Sequence, residues 1–238
     1  GDTVSAAGLL DRSSRIEAAL LAAGLRQGDH VAFLLPNGAD IVAASLAVQH
    51  SGLYGTPMNY RLTAGEAGYI VENSDSRALL ASARFGGTAV EIGSRFPGQR
   101  RISVGGPIPG FTALDELPPP NGPPIDVSRC GRLLMYTSGT TGTPSGVWRQ
   151  LGEQPADIEA RAESDRWYSR FPSLPESHLG PHLVLGPMYH AQPLIIGLHA
   201  LQQGQALITV DGWDSELVLE LIQRHRIRST ALVPTMFH

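Results

Sequence analysis

The feature that most constrains this chain is a steady alternation of short apolar runs with segments of helical periodicity. Leu9, Ser13, Ile16, Leu20 and Ala23 fall on one helical face, and Gly24 supplies a stop. The run His30-Val31-Ala32-Phe33-Leu34-Leu35 reads as a strand, Asn37 as the cap of a helix over 39–51, and 52–57 as a second strand. Thr63 and Glu66 have capping-box spacing for a helix to about residue 73, and 78–81 and 101–104 add two strands. Further on, strands are expected at 133–136, 182–186, 206–210 and 230–233. Helices are expected at 155–168, 191–203 and 215–225, the last capped by Asp214. This order predicts an α/β fold: doubly wound, mostly parallel sheets with helices on both faces.

Proline density divides the chain. Seven prolines between 105 and 124 exclude a helix interior or a central strand there, apart from a short apolar patch at 111–117. The expected organisation is a first α/β subdomain over 1–104, a Pro/Gly-rich connector over 105–124, and a second α/β subdomain over 125–238. The second stops before a sheet of ordinary width is complete. The chain starts at Gly1 and stops just after an apolar run, so it reads as part of a longer protein.

Within the second subdomain, residues 137–143 contain only threonine, serine and glycine, and follow the apolar run Leu133-Leu134-Met135-Tyr136. Glycines let successive backbone N–H groups turn toward one point, forming an anion-binding nest, and the hydroxyls of Thr137, Ser138, Thr140 and Thr141 add donors. A polar connection between strands would have the same composition. A Walker-type phosphate loop is excluded, because it needs a lysine and all 18 basic residues are arginine. The same absence removes Schiff-base chemistry. A formal net charge of −4 argues against a nucleic-acid partner. The single cysteine, Cys130, fits a small core residue in a reducing, cytoplasmic compartment, and no apolar run is long enough for a transmembrane segment.

The run 137–147, closed by Pro144-Ser145-Gly146, resembles the phosphate loop of the adenylate-forming superfamily, which holds acyl-CoA synthetases, adenylation domains and luciferases. The family closes its loop with Pro-Lys-Gly, so Ser145 stands where a lysine is usual. Arg149 is the nearest cation along the chain; strand alternation alone leaves open whether its face looks at the loop. The run Pro187-Met188-Tyr189-His190-Ala191 resembles the family's second signature, which lies between the carboxylate pocket and the nucleotide. Residues 189–196 are similar to actinobacterial fatty-acyl and sterol-side-chain CoA ligases, although helix core explains the same apolar residues.

The resemblance implies ATP-dependent activation of a hydrophobic carboxylic acid to acyl-AMP, then thioester formation with coenzyme A. Transfer of the acyl group to a carrier protein, or a non-catalytic nucleotide- or acyl-binding module, are the alternatives. It implies that Thr137, Ser138, Gly139, Thr140, Thr141, Gly142 and Ser145 bind ATP or AMP and that His190 lines the reaction site. Mg²⁺, coenzyme A and a small carboxylic acid are the implied cofactors and partners, and a homo-oligomer is compatible with it. The family's Mg²⁺-binding, ribose-binding and catalytic-lysine motifs lie further along and are absent here, so residues 1–238 alone are expected to be inactive. No histidine spacing suggests a protein metal site.

Overall fold

The computed structural model describes residues 3–117, 128–137, 144–168, 170 and 180–237. Two compact units are present, residues 1–156 and 157–238.

The first unit opens with α1 (Ala6–Ala22), whose buried residues Ser13, Ile16, Ala19 and Leu20 reproduce the expected face. There follow β1 (His30–Leu34), α2 (Ala39–His50), β2 (Tyr54–Pro57), α3 (Ala64–Asn73), β3 (Ser76–Ser82), α4 (Gly86–Arg95), β4 (Arg100–Val104), β5 (Thr112–Ala113) and β6 (Arg132–Leu133). These six strands form one sheet in the order β5-β4-β3-β1-β2-β6, every pair parallel. Alternation along β1 sends Ala32 and Leu34 into a core with Ala67, Ile70 and Val71 of α3 and Ala89 and Ile92 of α4. Phe33 points the other way, where it and Val48 of α2 crowd the space beside Gly55. Helices therefore cover both faces of a mostly parallel sheet, the doubly wound α/β arrangement that the alternation predicts.

The local signals of α3 are realised in full. Thr63 Oγ1 accepts from the Glu66 N–H at 3.3 Å, and Glu66 Oε2 accepts from the Thr63 N–H at 2.8 Å. The N-cap of α2 is Gly38, at φ 137°, one residue after the expected Asn37. Helix α4 gives little sequence signal because Gly86, Gly87 and Gly93 depress its propensity. Burial of Ala89, Ile92 and Gly93 makes it a helix. The apolar patch in the proline-rich stretch contributes β5, an edge strand flanked by prolines rather than containing them.

The expected strand at 133–136 is two strands. β6 pairs with β2, and β7 (Met135–Thr137) then forms an antiparallel hairpin with β8 (Ser145–Val147). Residues 128–137 and 144–156, placed by the sequence reading beyond the connector, fall in the first unit. Gly131 makes this approach sterically feasible: its N–H donates to the Gln49 carbonyl at 2.9 Å, and a Cβ there would stand 2.0 Å from the Val48 oxygen. Cys130 is buried at this junction, and its N–H donates to the Gln154 carbonyl at 2.7 Å.

The second unit holds α5 (Ala156–Tyr168, its first residue in the first unit), β9 (His182–Val184), α6 (Ala191–Gln202), β10 (Leu207–Thr209), α7 (Ser215–His225) and β11 (Ser229–Thr230). Its three strands run parallel in the order β10-β9-β11, around Leu183, Leu185, Val210 and Val218. Asp214 caps α7 as expected, accepting from the Leu217 N–H at 3.0 Å.

Candidate functional site

In parallel α/β sheets ligands bind beyond the carboxyl ends of the strands. β6 carries the chain toward that edge beside β2, and the hairpin β7–β8 continues from it. The Leu134 N–H still bonds the Gly55 carbonyl at 2.8 Å. Past this point β7 and β8 pair only with each other among the described strands. Their register sets Thr137 directly opposite Ser145, so the hairpin brings together the two ends of the run that resembles a phosphate loop. Both residues are exposed, and Thr137 Oγ1 donates to the Ser145 carbonyl across 3.4 Å, a long contact. Ser138, Gly139, Thr140, Thr141 and Gly142 lie outside the described residues.

Two side chains of α3 reach the hairpin. Tyr136 Oη donates to Asn73 Oδ1 at 2.7 Å, and Tyr69 Oη lies 3.4 Å from the Pro144 carbonyl. The half-buried Tyr136 ring packs against the α3–α4 core, and its phenol is held above the ordinary tyrosine range by that burial and by neighbouring Tyr69. Sequence reasoning passed over these residues. Their signal was available: Tyr69 and Asn73 stand four apart and share one face of α3.

After β8 the chain continues antiparallel to 129–132, but Trp148-Arg149-Gln150 form no regular strand. Side chains take up the carbonyls instead. Arg132 Nε donates to Gln150 at 3.3 Å and Arg129 Nε to Gly152 at 3.0 Å. Trp148 stacks on Tyr54, which stacks on His30, with centroid spacings of 4.7 and 4.6 Å. His30 and Tyr54 begin β1 and β2, so the segment around Arg149 lies at the amino ends of these strands, away from Thr137 and Ser145. A polar cleft of about 480 Å³ lined by Asp29, Arg77 and Arg100 also sits at the strands' amino ends, the wrong edge for substrate in this fold.

In the second unit, the chain leaves β9 and turns through 187–190, where the His190 N–H donates to the Pro187 carbonyl at 3.0 Å. His190 is the residue before α6, exposed, with its ring 4.6 Å from that of buried Tyr189. Desolvation lowers its pKa, which favours the neutral imidazole. Its place at the carboxyl end of β9 suits a ligand-facing group. His182 is a different case, buried in β9 with Nδ1 2.8 Å from Ser229 Oγ on β11 and its pKa lowered to about 4 by burial. Among the described residues no group of three or more His, Cys, Asp or Glu could hold a metal ion. No helix among them is long and apolar enough to cross a membrane.

Known proteins share this architecture. The o-succinylbenzoate CoA synthetase of Bacillus subtilis, solved in complex with ATP and magnesium ion, superposes with a TM-score of 0.73 at 26% identity, over 99% of this chain and 46% of that one. A feruloyl-CoA synthase from Amycolatopsis is 29% identical over 239 residues, covering 100% of this chain and 45% of its own length. A fatty acid–[acyl-carrier-protein] ligase, ScoC, from Streptomyces coeruleorubidus is also 29% identical, over 99% of this chain and 44% of its own length. The chain thus spans less than half the length of these curated relatives. The family described as AMP-binding enzyme matches residues 1–238. With the parallel sheet and the hairpin at its carboxyl edge, that match over the whole chain means that it belongs to the AMP-binding enzyme family.

Proposed function

We propose that the full-length protein is an ATP-dependent acid–thiol ligase for a hydrophobic carboxylic acid. The observation that carries the reading is the hairpin β7–β8. It holds Thr137 opposite Ser145 at the sheet edge where ligands bind, in a chain that matches the AMP-binding enzyme family throughout. A carboxylate oxygen attacks the α-phosphorus of ATP, the bond to the bridging oxygen breaks, and pyrophosphate leaves. The sulfur of coenzyme A then attacks the acyl carbonyl, AMP departs with the C–O electron pair, and the thiol proton passes to solvent. Such chemistry needs oriented donors rather than a protein nucleophile.

In this reading Thr137, Ser138, Gly139, Thr140, Thr141, Gly142 and Ser145 orient the phosphates, and His190 faces the acid as a neutral imidazole. Apolar Ile195 and Ile196 on α6 follow His190, are only partly buried, and suit a hydrophobic acyl group, whereas Leu194 is taken up by the core. A second acceptor is supported by one observation: the acyl-carrier-protein ligase is as similar as the feruloyl-CoA synthase. The protein then passes the acyl group to a carrier-bound thiol.

The test is acid-dependent exchange of pyrophosphate into ATP by the full-length protein over a panel of aliphatic and aromatic acids. Mass spectrometry of the product formed with coenzyme A or a phosphopantetheinylated carrier then assigns the acceptor. Absence of exchange with every acid overturns the reading.

A further inference from the structure

Past Leu134 the hairpin β7–β8 has no third strand among the described residues, and an isolated two-stranded ribbon is marginal in water. Something besides its own ladder must set where its stems stand. Where the chain nears Thr137 and leaves Pro144, side-chain contacts come from α3. The Tyr136 ring lies across its register partner Gly146, where an added Cβ would be 3.1 Å from Cζ. Absence of a side chain there lets the ring pack on the α3–α4 core and its hydroxyl reach Asn73 Oδ1 at 2.7 Å. One turn earlier on the same face, Tyr69 directs its hydroxyl to the Pro144 carbonyl on the returning stem. α3 is itself a firm base, closed by a complete capping box and buried through Ala67, Ile70 and Val71.

We propose that Asn73, acting through Tyr136, is a positioning residue for nucleotide binding. It holds the entering stem, and with it Thr137, in register with the sheet, while Tyr69 supports the exit at Pro144. The proposal rests on the adenylation reading above. Its logic is that a small displacement of oriented donors is costly even when the displaced contact is remote.

The experiment uses full-length protein carrying Asn73→Leu, Tyr136→Phe, both together, or Asn73→Asp. The aspartate keeps an oxygen acceptor for the Tyr136 hydroxyl. The first readout is KM for MgATP against kcat in pyrophosphate exchange. The second, independent of activity, is amide hydrogen exchange at Thr137 and Ser145 without nucleotide. Losing one neutral hydrogen bond should raise KM for MgATP about three- to tenfold in Asn73→Leu and in Tyr136→Phe, with kcat within about twofold. The double variant should be no worse than either single one, and Asn73→Asp should restore the wild-type KM. Exchange at Thr137 and Ser145 should quicken in the same variants. Unchanged KM with unchanged exchange, or effects that simply add, overturns the proposal. If wild-type protein shows no pyrophosphate exchange, the adenylation reading fails while hydrogen exchange still decides whether Asn73 holds the stem. Should Asn73→Leu not fold, Tyr136→Phe, which changes no ring volume, carries both readouts.

Discussion

Tyr54 Oη donates to the carbonyl of Arg149 at 2.9 Å, joining residues 95 apart in the chain. The bond ties the start of β2 to the segment leaving the loop hairpin, in the middle of the His30–Tyr54–Trp148 stack. Tyr54→Phe keeps the ring and removes the donor. The expected loss is about 1 kcal/mol, that of one neutral hydrogen bond to an exposed residue. Tyr54→Ala also removes a buried ring, and about 3–5 kcal/mol is expected. Urea unfolding of the two variants checks the ordering; equal losses would show that the ring contributes nothing beyond the bond.

His182 makes the second unit acid-sensitive. Its folded pKa, about 4, lies below the ordinary 6.5, so the unfolded state takes up a proton that the folded state refuses. Stability from this group is complete above pH 6.5 and is lost as pH falls toward 4, by about 3 kcal/mol in total. Amide exchange at Leu183, corrected for intrinsic rates, should reveal a falling opening energy between pH 6.5 and 4.5. In His182→Asn that slope should flatten; an unchanged slope would assign the sensitivity to other groups.

Ser145 stands where the resembling family carries a lysine. It is exposed on β8 opposite Thr137, so a longer side chain meets no packed neighbour. A charge-assisted hydrogen bond contributes about 1.5–3 kcal/mol, and Ser145→Lys is expected to improve KM for MgATP or the adenylation rate about ten- to a hundredfold. Arg149, beside Tyr54 at the far end of β2, should not substitute for it, and Arg149→Ala should leave KM for MgATP unchanged. Steady-state kinetics on the full-length protein decide both, and a silent Ser145→Lys in a folded enzyme removes the charge argument.

His190 is exposed, so His190→Ala should change stability by no more than about 0.5 kcal/mol. In its proposed role facing the acid, its loss should instead raise KM for the carboxylic acid or slow adenylation. Because desolvation lowers its pKa, the neutral ring persists below pH 6.5, and the activity it supports should decline only at more acidic pH. A variant that melts early yet retains full activity per folded molecule would return His190 to a structural role.

What the sequence by itself determined is local. Thr63 with Glu66 and Asp214 each specify a helix start through bonds closed within three residues, and both form as read. The apolar runs around Phe33, Leu79 and Ile102 specify strands because burial on both faces leaves no alternation to misread. The run from Thr137 to Val147, with its three Gly-containing steps, carried the family resemblance without any geometry.

Tertiary structure decided which partners those local elements take. Nothing near residue 132 announces that β6 will lie against β2. That pairing depends on Gly131, whose missing Cβ allows backbone contact with the end of α2. Helix α4 forms despite its glycines, because burying Ala89 and Ile92 outweighs their low propensity. Tyr136 finds Asn73 from 63 residues away, and His182 finds Ser229 from 47. Such bonds join residues that no periodicity relates. They exist because the sheet order brings distant strands and helices side by side, and only the folded chain defines that order.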